Sequence, residues 1–163
     1  MIQRVQTLFL LGVAILMMVT VFVNSWEKTN PDTGERATLD AFYLTHLEPV
    51  ANETDFKKSA ELPAFYIAIL CIISAGLAGF SITRFNNRLL QMKLGAGNSL
   101  LIAGTVVAIM LLSREGEQLF APTIVGEYKT GFYLPIVAIF LNILANRFIN
   151  RDERLVRSMD RLR

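Results

Sequence analysis

The side chains able to do chemistry in this sequence are few. His46 is its only histidine, with Glu48 and Asp55 following in the same polar segment. An imidazole beside carboxylates is the minimum for acid–base work or metal ligation, because its ordinary pKa lies close to neutrality. One histidine falls short of the ligand sets that hold zinc, and the spacing locates no further ligand. His46 therefore reads as a surface or loop-packing residue, and an enzyme using it with Glu48 or Asp55 is the least supported reading. Cys71, the single cysteine, lies inside an apolar run. It lacks a disulfide partner and clustered histidines, and reads as a small buried hydrophobe. No Gly-x-Ser-x-Gly elbow, phosphate loop, HExxH pair or dinucleotide fingerprint occurs. These residues predict a protein that is not an enzyme and takes no metal or other cofactor.

The remaining polar signals concern association. Asn142 lies deepest in an apolar stretch, with Asn146 one turn later on the same helical face. An amide in hydrocarbon needs partners, so this face points into a bundle or at a partner protein. Cys71, Ala75 and Gly79 recur every four residues, and Gly104 and Ala108 repeat the spacing in the next apolar stretch. Small residues so placed let helix backbones approach closely. Near the C-terminus, Leu155, Val156, Met159 and Leu162 form an apolar stripe, and Arg151, Arg154, Arg157, Arg161 and Arg163 cover the other faces. Such a basic amphipathic helix suits anionic lipid headgroups or a protein partner, and nucleic acid is not expected.

Four apolar stretches must position these residues. They run from about 5 to 23, 63 to 83, 95 to 112 and 132 to 149, and the one Asp, Glu, Lys or Arg within them is Arg147, near the end of the fourth. A helix needs roughly 20 apolar residues to cross about 30 Å of hydrocarbon, and backbone groups in lipid must be satisfied within the segment. The composition agrees, with 53% hydrophobic residues and a mean hydropathy of +0.43. The third stretch has the least certain start, because Gly95, Gly97 and Asn98 make its beginning irregular. With Arg147 at the end of the fourth stretch and no other Asp, Glu, Lys or Arg in the spans, no ion or proton path is evident.

Orientation follows from charge. The N-terminus, the segment between the second and third stretches and the tail together hold ten basic residues against three acidic ones. The opposite side holds six basic and eleven acidic residues in much longer loops. The excess of Lys and Arg predicts that both termini are cytoplasmic. Trp26, Tyr66, Tyr128 and Tyr133 fall near the outer ends of the spans, as interfacial rings do. Pro63 and Pro135 are placed in the opening turns of the second and fourth spans. In the 39-residue outer loop, 24–62, the Asn30-Pro31-Asp32-Thr33-Gly34 sequence reads as a tight turn closing a short β-hairpin. Beyond it, Leu39, Phe42, Tyr43, His46 and Leu47 fit a helix, whereas Leu39, Ala41, Tyr43, Thr45 and Leu47 fit a strand. The fold class expected is an all-α membrane protein: one domain, a four-helix bundle with that loop and an amphipathic tail over 150–163.

Particular segments carry a resemblance. Met1-Ile2-Gln3-Arg4-Val5-Gln6-Thr7, Asn87-Arg88-Leu89-Leu90-Gln91, Gly131-Phe132-Tyr133-Leu134-Pro135, Leu144-Ala145-Asn146-Arg147 and the final run from Asp152 to Arg163 resemble a family of small four-span proteins from Bacteroidota, a domain-of-unknown-function family. The resemblance covers nearly the whole chain. It implies an inner-membrane location in a Gram-negative bacterium and carries no functional residue over. A weaker likeness, to claudin-type tetraspans, lacks the paired loop cysteines and is one of fold alone. The functional expectation is a non-enzymatic accessory or scaffold subunit of a larger inner-membrane complex. The alternative is a small oligomeric transporter or channel with Asn142 and Asn146 lining a neutral path.

Overall fold

The computed structural model describes residues 2–49, 56–84, 87–121 and 123–160. In chain order the elements are α1 (Ile2–Phe22), β1 (Trp26–Thr29), β2 (Arg36–Leu39), β3 (Tyr43–Pro49), β4 (Phe56–Pro63), α2 (Phe65–Thr83), α3 (Arg88–Glu117), β5 (Glu127–Tyr128) and α4 (Thr130–Asp160). Each helix packs on two others, in the cycle α1–α2–α3–α4 and back to α1.

The packing stripes explain that cycle. α3 buries Gln91, Gly95, Asn98, Ile102, Thr105, Ile109, Leu112 and Gly116, steps of four and three residues in alternation. α1 does the same with Gln6, Leu10, Val13, Met17 and Thr20, and α4 with Ala138, Asn142, Ala145 and Ile149. A seven-residue recurrence keeps each stripe facing its neighbours when helices run nearly parallel or antiparallel. The opposite faces are as apolar as the core: Leu8, Phe22, Leu100 and Phe140 are all more than 60% exposed. A bundle apolar on both its inner and outer surfaces needs lipid around it. All four helices are long and apolar enough to cross a membrane, with mean hydropathies from 1.7 to 2.4 over their best windows.

The all-α expectation is overturned. The segment between α1 and α2, with β5, folds into a five-stranded antiparallel sheet ordered β4-β3-β2-β1-β5, which extends the single expected hairpin on both sides. The hairpin itself is present: β1 pairs with β2 across the Asn30–Gly34 turn, with Trp26 opposite Leu39 and Thr29 opposite Arg36. Gly34 takes φ 77°, and Asn30 Oδ1 accepts a hydrogen bond from the Asp32 amide at 3.0 Å. The next segment is strand β3, not helix. Asp40 Oδ1 accepts hydrogen bonds from the amides of Phe42 (2.7 Å) and Tyr43 (2.8 Å), an Asx turn that reverses the chain after Leu39. That reversal also flips the parity. Leu44 and His46 point inward, whereas Tyr43, Thr45 and Leu47 take the more exposed face.

Other boundaries move for local reasons. α3 begins at Arg88, seven residues before the apolar stretch, because Asn87 caps it by accepting from the Leu90 amide at 3.0 Å. Gly95, Gly97 and Asn98 therefore lie inside a helix. Pro63 ends β4 instead of opening α2, and the tail helix is an unbroken continuation of α4 to Asp160. The inner face of the sheet shares one hydrophobic core with the bundle: Trp26, Ala37, Leu39 and Leu44 join Val13, Met17, Ile67 and Ile109 in a single cluster.

Candidate functional site

Three groups of polar residues survive the packing. The first fastens the sheet to α3. Lys28 on β1 is 1% exposed, and its ammonium donates to the carbonyl oxygens of Glu117 (2.7 Å) and Phe120 (2.8 Å). It also pairs with the Glu117 carboxylate at 3.2 Å and stands 5.0 Å from the centre of the Phe120 ring. These carbonyls close the C-terminal end of α3, where helix carbonyls lack intrahelical partners and the dipole favours a cation. Glu117 reaches onward and accepts from the Gly126 amide at 2.8 Å. Trp26, expected in an interfacial belt, is instead buried to 1% exposure between Gly116 and Gly126. A side chain at either glycine would occupy its ring, so both positions require the absence of Cβ.

On the same sheet face, the His46 ring stacks on Phe120 at 4.9 Å between centroids and 9° between planes. His46 is thus a buried packing residue, 6% exposed. Its neighbours there are Glu48, two residues on, and Glu35, which chain reversal at the Asn30–Gly34 turn brings back. The sequence paired His46 with Glu48 or Asp55; Asp55 lies outside the described residues, and Glu35 was missed. The signal that could have found it is the turn, since β2–β3 pairing of Arg36 with Leu47 makes Glu35 the next position opposite Glu48.

The second group lies inside the bundle. Asn142 is fully buried and donates through Nδ2 to the Gly95 carbonyl (2.7 Å) and Ser99 Oγ (2.8 Å). Asn146 packs directly on Gly95, where a Cβ would overlap its amide. Both asparagines therefore join α4 to α3. Gln91 Nε2 donates to the Ser81 carbonyl at 2.7 Å and joins α3 to α2. Around these bonds, Gln6 Oε1, Gln91 Oε1, Asn142 Oδ1, Asn146 Oδ1 and both amide atoms of Asn98 are buried without a partner among the described residues. Of the small residues, Cys71, Ala75 and Ala108 lie in the core. A methyl at Gly104 would meet Leu70 Cδ1 at 3.9 Å, whereas one at Gly79 would meet nothing within 4 Å. The stripe in α2 works at Cys71 and Ala75 and lapses at Gly79.

The third group is at the opposite end from the sheet. Arg88 pairs with Asp152 at 3.1 Å and donates to its backbone oxygen at 3.0 Å, fixing the start of α3 to the extension of α4. Beside this lock, Arg147, Asn150, Arg151 and Arg154 line a groove of about 370 Å³. Arg157 lies on the same helix, and Arg161 and Arg163 lie outside the described residues. Three arginines with no acidic residue among the groove's lining make a surface for anions.

Residues 2–162 match the family described as Domain of unknown function (DUF4293). No curated protein matches the chain.

Proposed function

The chain belongs to the DUF4293 family, a membership that hands no residue a role, and from the geometry we propose that it is a non-catalytic accessory or scaffold subunit of a bacterial inner-membrane assembly. The bundle anchors the sheet in the periplasm, both termini lie in the cytoplasm, and the arginine groove rests on anionic headgroups. The observation that carries this reading is strand β4. It forms one edge of the sheet, runs for eight residues, and seven of its eight positions are exposed. The other edge, β5, has only two residues. A long edge offers a row of unpaired amides and carbonyls to an incoming strand. Phe56 (54% exposed) and Leu62 (40%) add apolar contacts at its two ends. The sheet is held rigidly for this use by Lys28 and Trp26, so a partner strand would not have to order its template.

The test is affinity purification from native membranes in mild detergent, with a proline scan of 57–60. Successive amides alternate in direction, so a proline on the outward side removes a donor to the partner and leaves the sheet intact. Loss of a stoichiometric membrane-protein partner at those positions, with unchanged Trp26 emission, supports the reading. Recovery only as a free monomer in several detergents contradicts it.

A second reading is favoured by the unpartnered amide atoms of Gln6, Gln91, Asn98, Asn142 and Asn146. Buried polar atoms of this number need water or a solute, as in a small oligomeric transporter or channel. An Asn142→Cys variant in a Cys71→Ser background separates the two. Labelling by a membrane-impermeant thiol reagent favours the channel, and full protection favours helix packing.

A further inference from the structure

The face of the sheet bearing Ala37 and His46 runs on to the end of the β2–β3 ladder, beside the Asn30–Gly34 turn. Two residues apart on β3, His46 and Glu48 project to the same side, and Glu35 arrives next to them from the neighbouring strand. One donor atom from each of Glu35, His46 and Glu48 lies within 4.8 Å of the other two. His46 is 94% buried by its 6% exposure, and its Nε2 has no hydrogen-bond partner among the described residues. Glu35 uses one carboxylate oxygen to accept from Thr33 Oγ1 at 3.1 Å, which holds the side chain towards the turn and leaves its other oxygen available.

A buried ring nitrogen without a partner, on an imidazole that has a donor atom within 4.8 Å of two carboxylate oxygens, is costly unless something positive sits among them. Lys57 stands opposite Glu48 in register on β4, yet no ion pair joins them among the described residues. Lys28, on the same sheet face, is spent on Glu117 and Phe120. From this juxtaposition we infer that Glu35, His46 and Glu48 form a site for a divalent transition metal of the zinc type, with three protein ligands and one open position.

The donor set selects the ion. One imidazole nitrogen with two carboxylate oxygens suits Zn²⁺, whereas Ca²⁺ and Mg²⁺ take oxygen ligands. Two carboxylates neutralise the dication, so the filled site adds no net charge to the sheet. Zinc–ligand bonds of about 2.0–2.2 Å in a tetrahedron set neighbouring donors roughly 3.4 Å apart. The three atoms must therefore close by no more than about 1.4 Å, a rotamer change for two partly exposed glutamates. His46 itself needs no movement: the Phe120 stack fixes its ring plane, the role an outer-shell contact plays in orienting a metal-binding histidine. The open fourth position would take water or a side chain from a partner.

The full-length protein in detergent micelles, stripped with EDTA, is titrated with Zn²⁺ against a chromophoric chelator, and separately with Co²⁺ while the visible absorption is followed. The expected result is uptake of one equivalent and a Co²⁺ spectrum of nitrogen–oxygen ligation. Glu35→Gln and Glu48→Gln should each weaken binding about tenfold or more, and His46→Gln about 100-fold, since even outer-shell partners are worth 10–100-fold. Unchanged Trp26 emission in the two glutamine variants shows that the sheet persists, so weakened binding there reports lost ligands. Substoichiometric uptake by the wild type, a Glu35→Gln/Glu48→Gln double variant that binds as tightly, or displacement of Zn²⁺ by equimolar Ca²⁺ would each overturn the assignment.

Discussion

Replacing Lys28 with Met isolates the fastening between sheet and bundle. Methionine keeps the stem over the Phe120 ring and removes the ammonium, which contacts two backbone carbonyls and the Glu117 carboxylate. Charge-assisted hydrogen bonds are worth about 1.5–3 kcal/mol each, and breaking a buried pair costs about 3–5 kcal/mol. Because the Glu117 side chain is 33% exposed, water replaces part of what it loses, and about 3 kcal/mol is a fair figure for the whole substitution. At about 1.4 kcal/mol per decade that is roughly a 100-fold rise in the open state of the sheet. Hydrogen exchange of the β1 and β2 amides reads it directly: their protection should fall about 100-fold, while the amides of α1 and α4 stay within a few fold. Trp26, the only tryptophan, reports the same event by a red shift at lower denaturant. A variant with unchanged β1 protection and emission would refute the view that Lys28 holds the sheet to the helix end.

Further outcomes test other parts of the account. Gly95→Ala should destabilise the bundle by about 1–3 kcal/mol through overlap with Asn146, whereas Gly76→Ala, with nothing within 4 Å, should be neutral or slightly stabilising; thermal unfolding in detergent compares the two. Asn142→Leu should cost about 1–2 kcal/mol by the same measurement, through loss of the bonds to Gly95 and Ser99. Charge reversal in an Arg151→Glu/Arg154→Glu variant should reduce binding of anionic vesicles by the solubilised protein, by about 1 kcal/mol for each positive charge removed, and the wild type should lose the same preference in high salt.

The helical part of the fold was legible because lipid demands it. Long apolar stretches have one structural solution in lipid, and Asn142, which is fully buried, was legible as an amide facing either the bundle or a partner protein. The sheet was only half legible. The Asn30–Gly34 turn announced β1 and β2, but β3 depended on Asp40, whose side chain reverses the chain at a point where periodicity alone permits either helix or strand. β4, with seven of eight positions exposed, has no buried face to produce alternation, and β5 is two residues that pair with β1 across most of the chain. Lys28 entered the sequence reading only in the count of basic residues, because its partners are backbone carbonyls about 90 residues away, which no side-chain pattern encodes. Glu35 joined His46 and Glu48 only once the β2–β3 register was set. Arg151 and Arg154 were named in the basic tail helix, but their grouping with Arg147 and Asn150 along one groove was not, although the spacing of 147, 151 and 154 puts these three on one side of a helix.

Partner recruitment by the edge strand is the central claim, and site-specific photo-crosslinking in native membranes tests it most directly. A photoreactive residue at Lys57 or Ser59 on β4 should yield a discrete adduct with another membrane protein, lost on proline substitution in the same strand, while the same probe at Thr33 in the β1–β2 turn yields none. Equal labelling from both places, or no adduct from β4 while the sheet is folded, would contradict it.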